Sequence, residues 1–154
     1  MNNDSESTPR LVGKTRHGEL TLDQIAGLMP GLGQLMPQIS RRYWILYYAA
    51  HGGNWKLAAY QVSQIRGLMR IGATTRPKQA DRLNAFSQGP LGHVEEAIEK
   101  RDLEAFEQAF ERAAKIANAM HKATGHPEIV WKLPAHPPEE LELGPTEASD
   151  ADKR

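Results

Sequence analysis

Apolar residues recur along this chain in stripes with helical spacing. Met36, Ile39, Tyr43, Leu46 and Ala50 step by three and four residues, which holds them on one face of a helix. After the break His51-Gly52-Gly53-Asn54, the residues Trp55, Ala58, Val62, Ile65 and Met69 repeat that step. Leu91, Val94 and Ile98 make a shorter third stripe beginning near Pro90, and Leu103, Phe106, Phe110, Ala113, Ala117 and Met120 make the fourth. An amphipathic helix hides its stripe only against another element, so the pattern predicts an all-α fold. Its architecture is expected to be an antiparallel up-and-down four-helix bundle over residues 21–138. Asn54 and Asp102 stand where N-caps are needed, and Thr21 with Gln24 fits a capping box. Pro37 lies near the start of the first long helix, where it is tolerated or kinks the first turn. Pro77 to Phe86 allow an extra turn or two of helix.

Strand signals are nearly absent. The β-branched and aromatic run Glu128 to Leu133 follows Pro127 and reads as an extended segment crossing the bundle. Residues 1–20 are polar and unpatterned, which predicts a flexible arm. Residues 139–154 are acidic and rich in small polar side chains, which predicts a disordered tail.

Charge narrows the partners. Lys plus Arg and Asp plus Glu are 19 each, so the chain has no net charge to draw it to nucleic acid or an anionic membrane. Arg66, Arg70, Arg76, Lys78 and Arg82 form a basic stretch. No aromatic interleaves it, so it reads as favourable charge at a helix C-terminus and a solvated loop. No run of about 18 apolar residues spans a membrane. The start, MNNDSESTPR, lacks the apolar core of a secretory signal, so a cytoplasmic location is expected, or a periplasmic one if a signal was removed.

Catalytic motifs are scarce. The histidines are His17, His51, His93, His121, His126 and His136, and none lies four residues from another. A metal-dependent enzyme would therefore need a site assembled between helices. No Gly-rich phosphate loop, nucleophile elbow or HExxH motif is present.

Three segments share the look of one family. RYWILYYAAHGGNWKLAAY, Arg42 to Tyr60, carries Arg42, Ala49, Asn54, Trp55, Leu57, Ala58 and Tyr60 in a familiar order. GPLGHVEEAIEKRDLEAFEQAF follows at residues 89–110, and ANAMHKATGH at residues 117–126. Together they resemble a bacterial c-type cytochrome family with a cytochrome c′-like four-helix fold, over residues 35 to 134. In that family the last segment reads C-N-x-C-H-x-A-T, which Asn118, His121, Ala123 and Thr124 match. Both cysteine positions differ, being Ala117 and Met120, and without cysteine no thioether to haem can form. Tyr43 replaces a histidine that often follows the family's arginine, and Gln61, Ser63 and Gln64 stand at acidic positions. The closing N-Q-x-F motif is missing after the prolines of LPAHPP.

The resemblance implies two further functions. One is noncovalent, b-type haem binding for electron transfer or for gas or haem sensing. His121 would be its axial ligand, with Tyr43, Met36 or Met69 across from it, Arg42 on a propionate, and Ala117 and Met120 at the old attachment positions. The other, which is preferred, is a haem-free ligand-binding or protein-interaction module. A flat or apolar ligand would be lined by Tyr43, Tyr47, Trp55, Tyr60, Phe106, Phe110 and Trp131, with Trp131 as a lid. A homodimer through the first two helices, with Tyr47 and Tyr48 at the contact, is implied as well. Read without the resemblance, Ala117, Met120, Met36 and Met69 are core filler, Tyr43 is a core tyrosine, and Arg42 is a solvated charge.

Overall fold

The computed structural model describes residues 12–146. The outer parts of the expected arm and tail, residues 1–11 and 147–154, lie outside the described residues. The fold is mainly helical, in two compact units, Met1–Pro30 and Gly31–Arg154.

In the first unit, β1 (Val12–Thr15) and β2 (Gly18–Thr21) pair antiparallel, with Val12 opposite Thr21 and Thr15 opposite Gly18. This hairpin corrects the reading of a patternless arm up to residue 20. Its strands are four residues long and mix Gly, Lys and Glu with the apolar positions, so no alternation is visible in the sequence. A local bond helps close it: Thr15 Oγ1 donates to Gly18 O at 3.0 Å. The helix α1 (Leu22–Gly27) follows. Its capping box is complete, since Gln24 N donates to Thr21 Oγ1 and Thr21 N donates to Gln24 Oε1.

The second unit holds α2 (Leu32–His51), α3 (Trp55–Thr75), a short 3₁₀ turn (Pro77–Gln79), α4 (Ala80–Gln88), α5 (Pro90–Lys100) and α6 (Leu103–Ala123). The chain passes through Pro37 without leaving the helix. The α2–α3 turn is sharp because Gly53 adopts φ 83°, and Asn54 Oδ1 then accepts Leu57 N–H at 3.0 Å as the N-cap of α3. Asp102 caps α6 in the same way through Ala105 N–H, also at 3.0 Å. α4 is a full nine-residue helix, and it buries Leu83 and Phe86.

The stripes meet as their spacing requires. α2 packs on α3, α5 packs on α6, and α3 also packs on α4 and α5. One core joins Leu46 of α2, Val62 and Ile65 of α3, Leu91 and Val94 of α5, and Phe106 of α6, all completely buried. Met36, Ala117 and Met120 sit at its margin, half-buried.

Beyond α6 the chain carries no helix or strand, yet residues 126–146 are bound along the second unit. That corrects the expected disordered tail for residues 139–146. Glu140 pairs with Arg41, Asn54 Nδ2 donates to Glu142 O at 3.3 Å, and Leu143 packs on the core. Leu143 within the acidic run supplies an apolar contact that the composition conceals. No helix among the described residues is long and apolar enough to cross a membrane.

Candidate functional site

The last turns of α6 bring Ala117, Asn118, Met120 and His121 to the edge of the core. Asn118 organises this region. Its Oδ1 accepts Trp131 N–H at 2.8 Å, and its Nδ2 donates to Trp131 O at 2.9 Å. One side-chain amide thus satisfies both main-chain groups of Trp131, as a neighbouring strand would.

Held this way, the Trp131 indole stands edge-on to Tyr43 at 5.2 Å and to Phe110 at 5.9 Å. Tyr43 and Phe110 are stacked at 4.1 Å with an interplanar angle of 8°. The Tyr43 hydroxyl donates to Phe110 O at 2.7 Å. Burial pushes its phenol well above the ordinary tyrosine range, so it stays protonated. Tyr47 tilts onto Phe110 at 4.9 Å, and Trp55 meets Phe106 edge-on at 6.3 Å.

Six of the expected lining residues, Tyr43, Tyr47, Trp55, Phe106, Phe110 and Trp131, therefore form one aromatic cluster. Tyr60 does not join it. Its side chain is 54% exposed on the outer face of α3. The remaining expected ligands have other duties. Met69 is buried in the core, and Met36 packs against it. Arg42 is not a free solvated charge: its Nη1 donates at 3.0 Å to Gln61 Oε1, and Gln61 is only 4% exposed. The glutamine that replaces an acidic residue of the resembled family is thus Arg42's partner.

His121 is half-buried, with Nδ1 3.1 Å from Ile129 O. A carbonyl only accepts, so the neutral ring carries its proton on Nδ1 and its lone pair on Nε2.

The segment after Trp131 is bound by side chains that the sequence reading did not single out. Tyr48 OH donates to Pro134 O at 2.8 Å, and Trp44 Nε1 donates to His136 O at 2.9 Å. Arg41 lies over the Trp44 ring at 5.8 Å and pairs with Glu140. Tyr47 and Tyr48, expected as an exposed dimer contact, are half-buried. The only sequence signal for this arrangement was the joint presence of an aromatic-rich helix and a proline-rich extended segment.

Tyr43 and Arg42, expected to face a haem, are instead engaged within the protein, and the Trp131 indole packs beside Tyr43 and Phe110. A shallow cavity of about 190 Å³ lies between Gln38, Arg41, Arg42 and Ile45. It is smaller than the ~300 Å³ at which small-molecule sites begin. Among the described residues, no three His, Cys, Asp or Glu side chains gather as a metal site would require.

No protein family, curated protein or solved structure matches this chain.

Proposed function

We propose that the chain is a haem-free interaction module built on a cytochrome c′-like four-helix bundle, with α2, α3, α5 and α6 as the bundle helices. One observation carries this reading: Trp131, clamped by Asn118, packs on the Tyr43–Phe110 stack. The resemblance gives that neighbourhood, beside Ala117, Met120 and His121, to a macrocycle. Here the protein's own indole takes the volume, and the chemistry left for recognition is on the surface. A dimer through the first two helices would use the outer face of α3, where Tyr60 and Ile71 are exposed.

A second reading has one observation in its favour. The bond from His121 Nδ1 to Ile129 O directs the lone pair to Nε2, the arrangement that suits an iron-binding imidazole. It would require Trp131 and its segment to leave.

Haemin titration of the purified full chain decides between them. The module reading expects no saturable Soret shift and no difference between the native chain and His121→Ala. Stoichiometric uptake that His121→Ala abolishes would replace it with the noncovalent haem reading.

A further inference from the structure

Residues 134–140 are held on α2 in an unusual way. Trp131, Leu133 and Leu143 pack on the core, Pro138 is buried and Glu140 pairs with Arg41, but Ala135, His136, Pro137, Glu139, Leu141 and Glu142 are exposed. The hold is on the main chain. Tyr48 OH and Trp44 Nε1, one helical turn apart, donate to the carbonyls of Pro134 and His136, two residues apart. Four residues of helix advance ~6 Å, and two residues of proline-stiffened chain advance about the same. The donors and carbonyls are therefore in register, although the segment bends at Ala135 and His136. At the end of the ridge, Arg41 pairs with the glutamate that follows the prolines, and Arg42 lines the cavity beside it.

We propose that the ridge of Tyr48, Trp44 and Arg41 on α2 is a receptor for an extended proline-rich peptide with a carboxylate after its prolines. In the resting chain it is occupied in cis by residues 134–140, and a partner protein's segment of that chemistry displaces them. This rests on the module reading and names its partner. Aromatic donors that read main-chain carbonyls, with proline fixing the shape of the bound strand, are how proline-rich segments are generally bound. Such contacts tolerate exchange of the strand's side chains, so one sequence can replace another. Prolines 134, 137 and 138 limit the entropy lost on docking, and the same stiffness would favour an incoming strand.

The test uses the full-length chain and a fluorescent peptide of residues 132–141, KLPAHPPEEL. Tethering gives the cis segment a millimolar effective concentration, so the native chain should bind the probe weakly. Two substitutions release the cis segment and leave the ridge intact. Gly52 has helical dihedrals that alanine accepts, but a Cβ there would collide with the Leu143 carbonyl. Gly52→Ala combined with Glu140→Lys therefore removes two anchors on the same side.

Backbone order parameters should fall across residues 135–143, and probe affinity should rise about tenfold or more. Adding Trp44→Phe and Tyr48→Phe keeps ring bulk but deletes both donors, and should cancel that gain. A probe with its three prolines changed to alanine should bind more weakly. The proposal is overturned if a released segment brings no gain in affinity, or if the phenylalanines leave the gain intact. It is overturned equally if the order parameters stay high, because a segment that survives loss of both anchors is not displaceable. A concentration-dependent dimer that the probe does not dissociate would assign the ridge to a second copy, and would also overturn it. If the probe fails while haemin is ignored, the module reading stands without this partner. If the probe fails and haemin is taken up through His121, both fall.

Discussion

Tyr43 is fixed by both its hydroxyl and its ring. A histidine at this position would offer a nitrogen lone pair, whereas the tyrosine hydroxyl points its proton at Phe110 O and lays its ring on the Phe110 ring. Its raised pKa has a defined pH consequence. The unfolded chain releases this proton near pH 10 while the folded chain retains it, so above that point the unfolded state binds fewer protons. Stability from this group is complete below about pH 10 and falls as pH rises, with a slope approaching ~1.4 kcal/mol per pH unit. Denaturant melts between pH 9 and 11 should show that loss, and Tyr43→Phe should flatten it. At neutral pH the same variant should cost about 0.5–1.5 kcal/mol, the ordinary worth of a hydrogen bond. Trp131 makes a complementary residue-scale case. Trp131→Gly should destabilise the fold by about 3–5 kcal/mol and leave an apolar space beside Tyr43 and Phe110. Added indole should raise the variant's melting temperature and not the native chain's.

At the scale of elements, legibility followed the range of the contacts. The long helices were readable because an apolar stripe repeats within each of them, and Asn54 and Asp102 announced their starts. The β1–β2 hairpin was not, since strands of four residues carry too few positions to show alternation. The docked segment was least readable of all. Trp44 bonds a carbonyl 92 residues away and Tyr48 one 86 residues away, and nothing local to either stretch encodes that pairing. Of the candidate site, the aromatic cluster was legible from the inward stripes. The Asn118 clamp was not, because a side chain that binds the main chain of another segment leaves no periodic trace. Asn54 links both kinds of information, capping α3 through Oδ1 and holding Glu142 O through Nδ2. Asn54→Asp keeps an N-cap acceptor and deletes the donor. Thermal stability should fall by about 1 kcal/mol, the ordinary worth of the lost bond to Glu142 O. Asn54→Ala should lose about 1 kcal/mol more.

At the scale of the whole molecule, two features would keep a macrocycle out of the proposed haem-free module: the absence of cysteine and the docked segment. The two differ in consequence. If cysteine loss were decisive, Ala117→Cys with Met120→Cys would restore covalent haem in a host that makes c-type cytochromes. If Trp131 and its Asn118 clamp close the space, the same double variant should fold, remain colourless and show free thiols. Adding Trp131→Gly and Asn118→Ala to it would remove the plug and its fixing bonds together. The packing around Trp131 favours the second outcome, because its indole already touches both rings that would face an incoming macrocycle. Pyridine haemochrome absorbance on the purified variants reads the result directly. Covalent haem in the cysteine pair alone would show that the segment yields readily to a large flat ligand, and colour only in the fourfold variant would show that the indole is the gate.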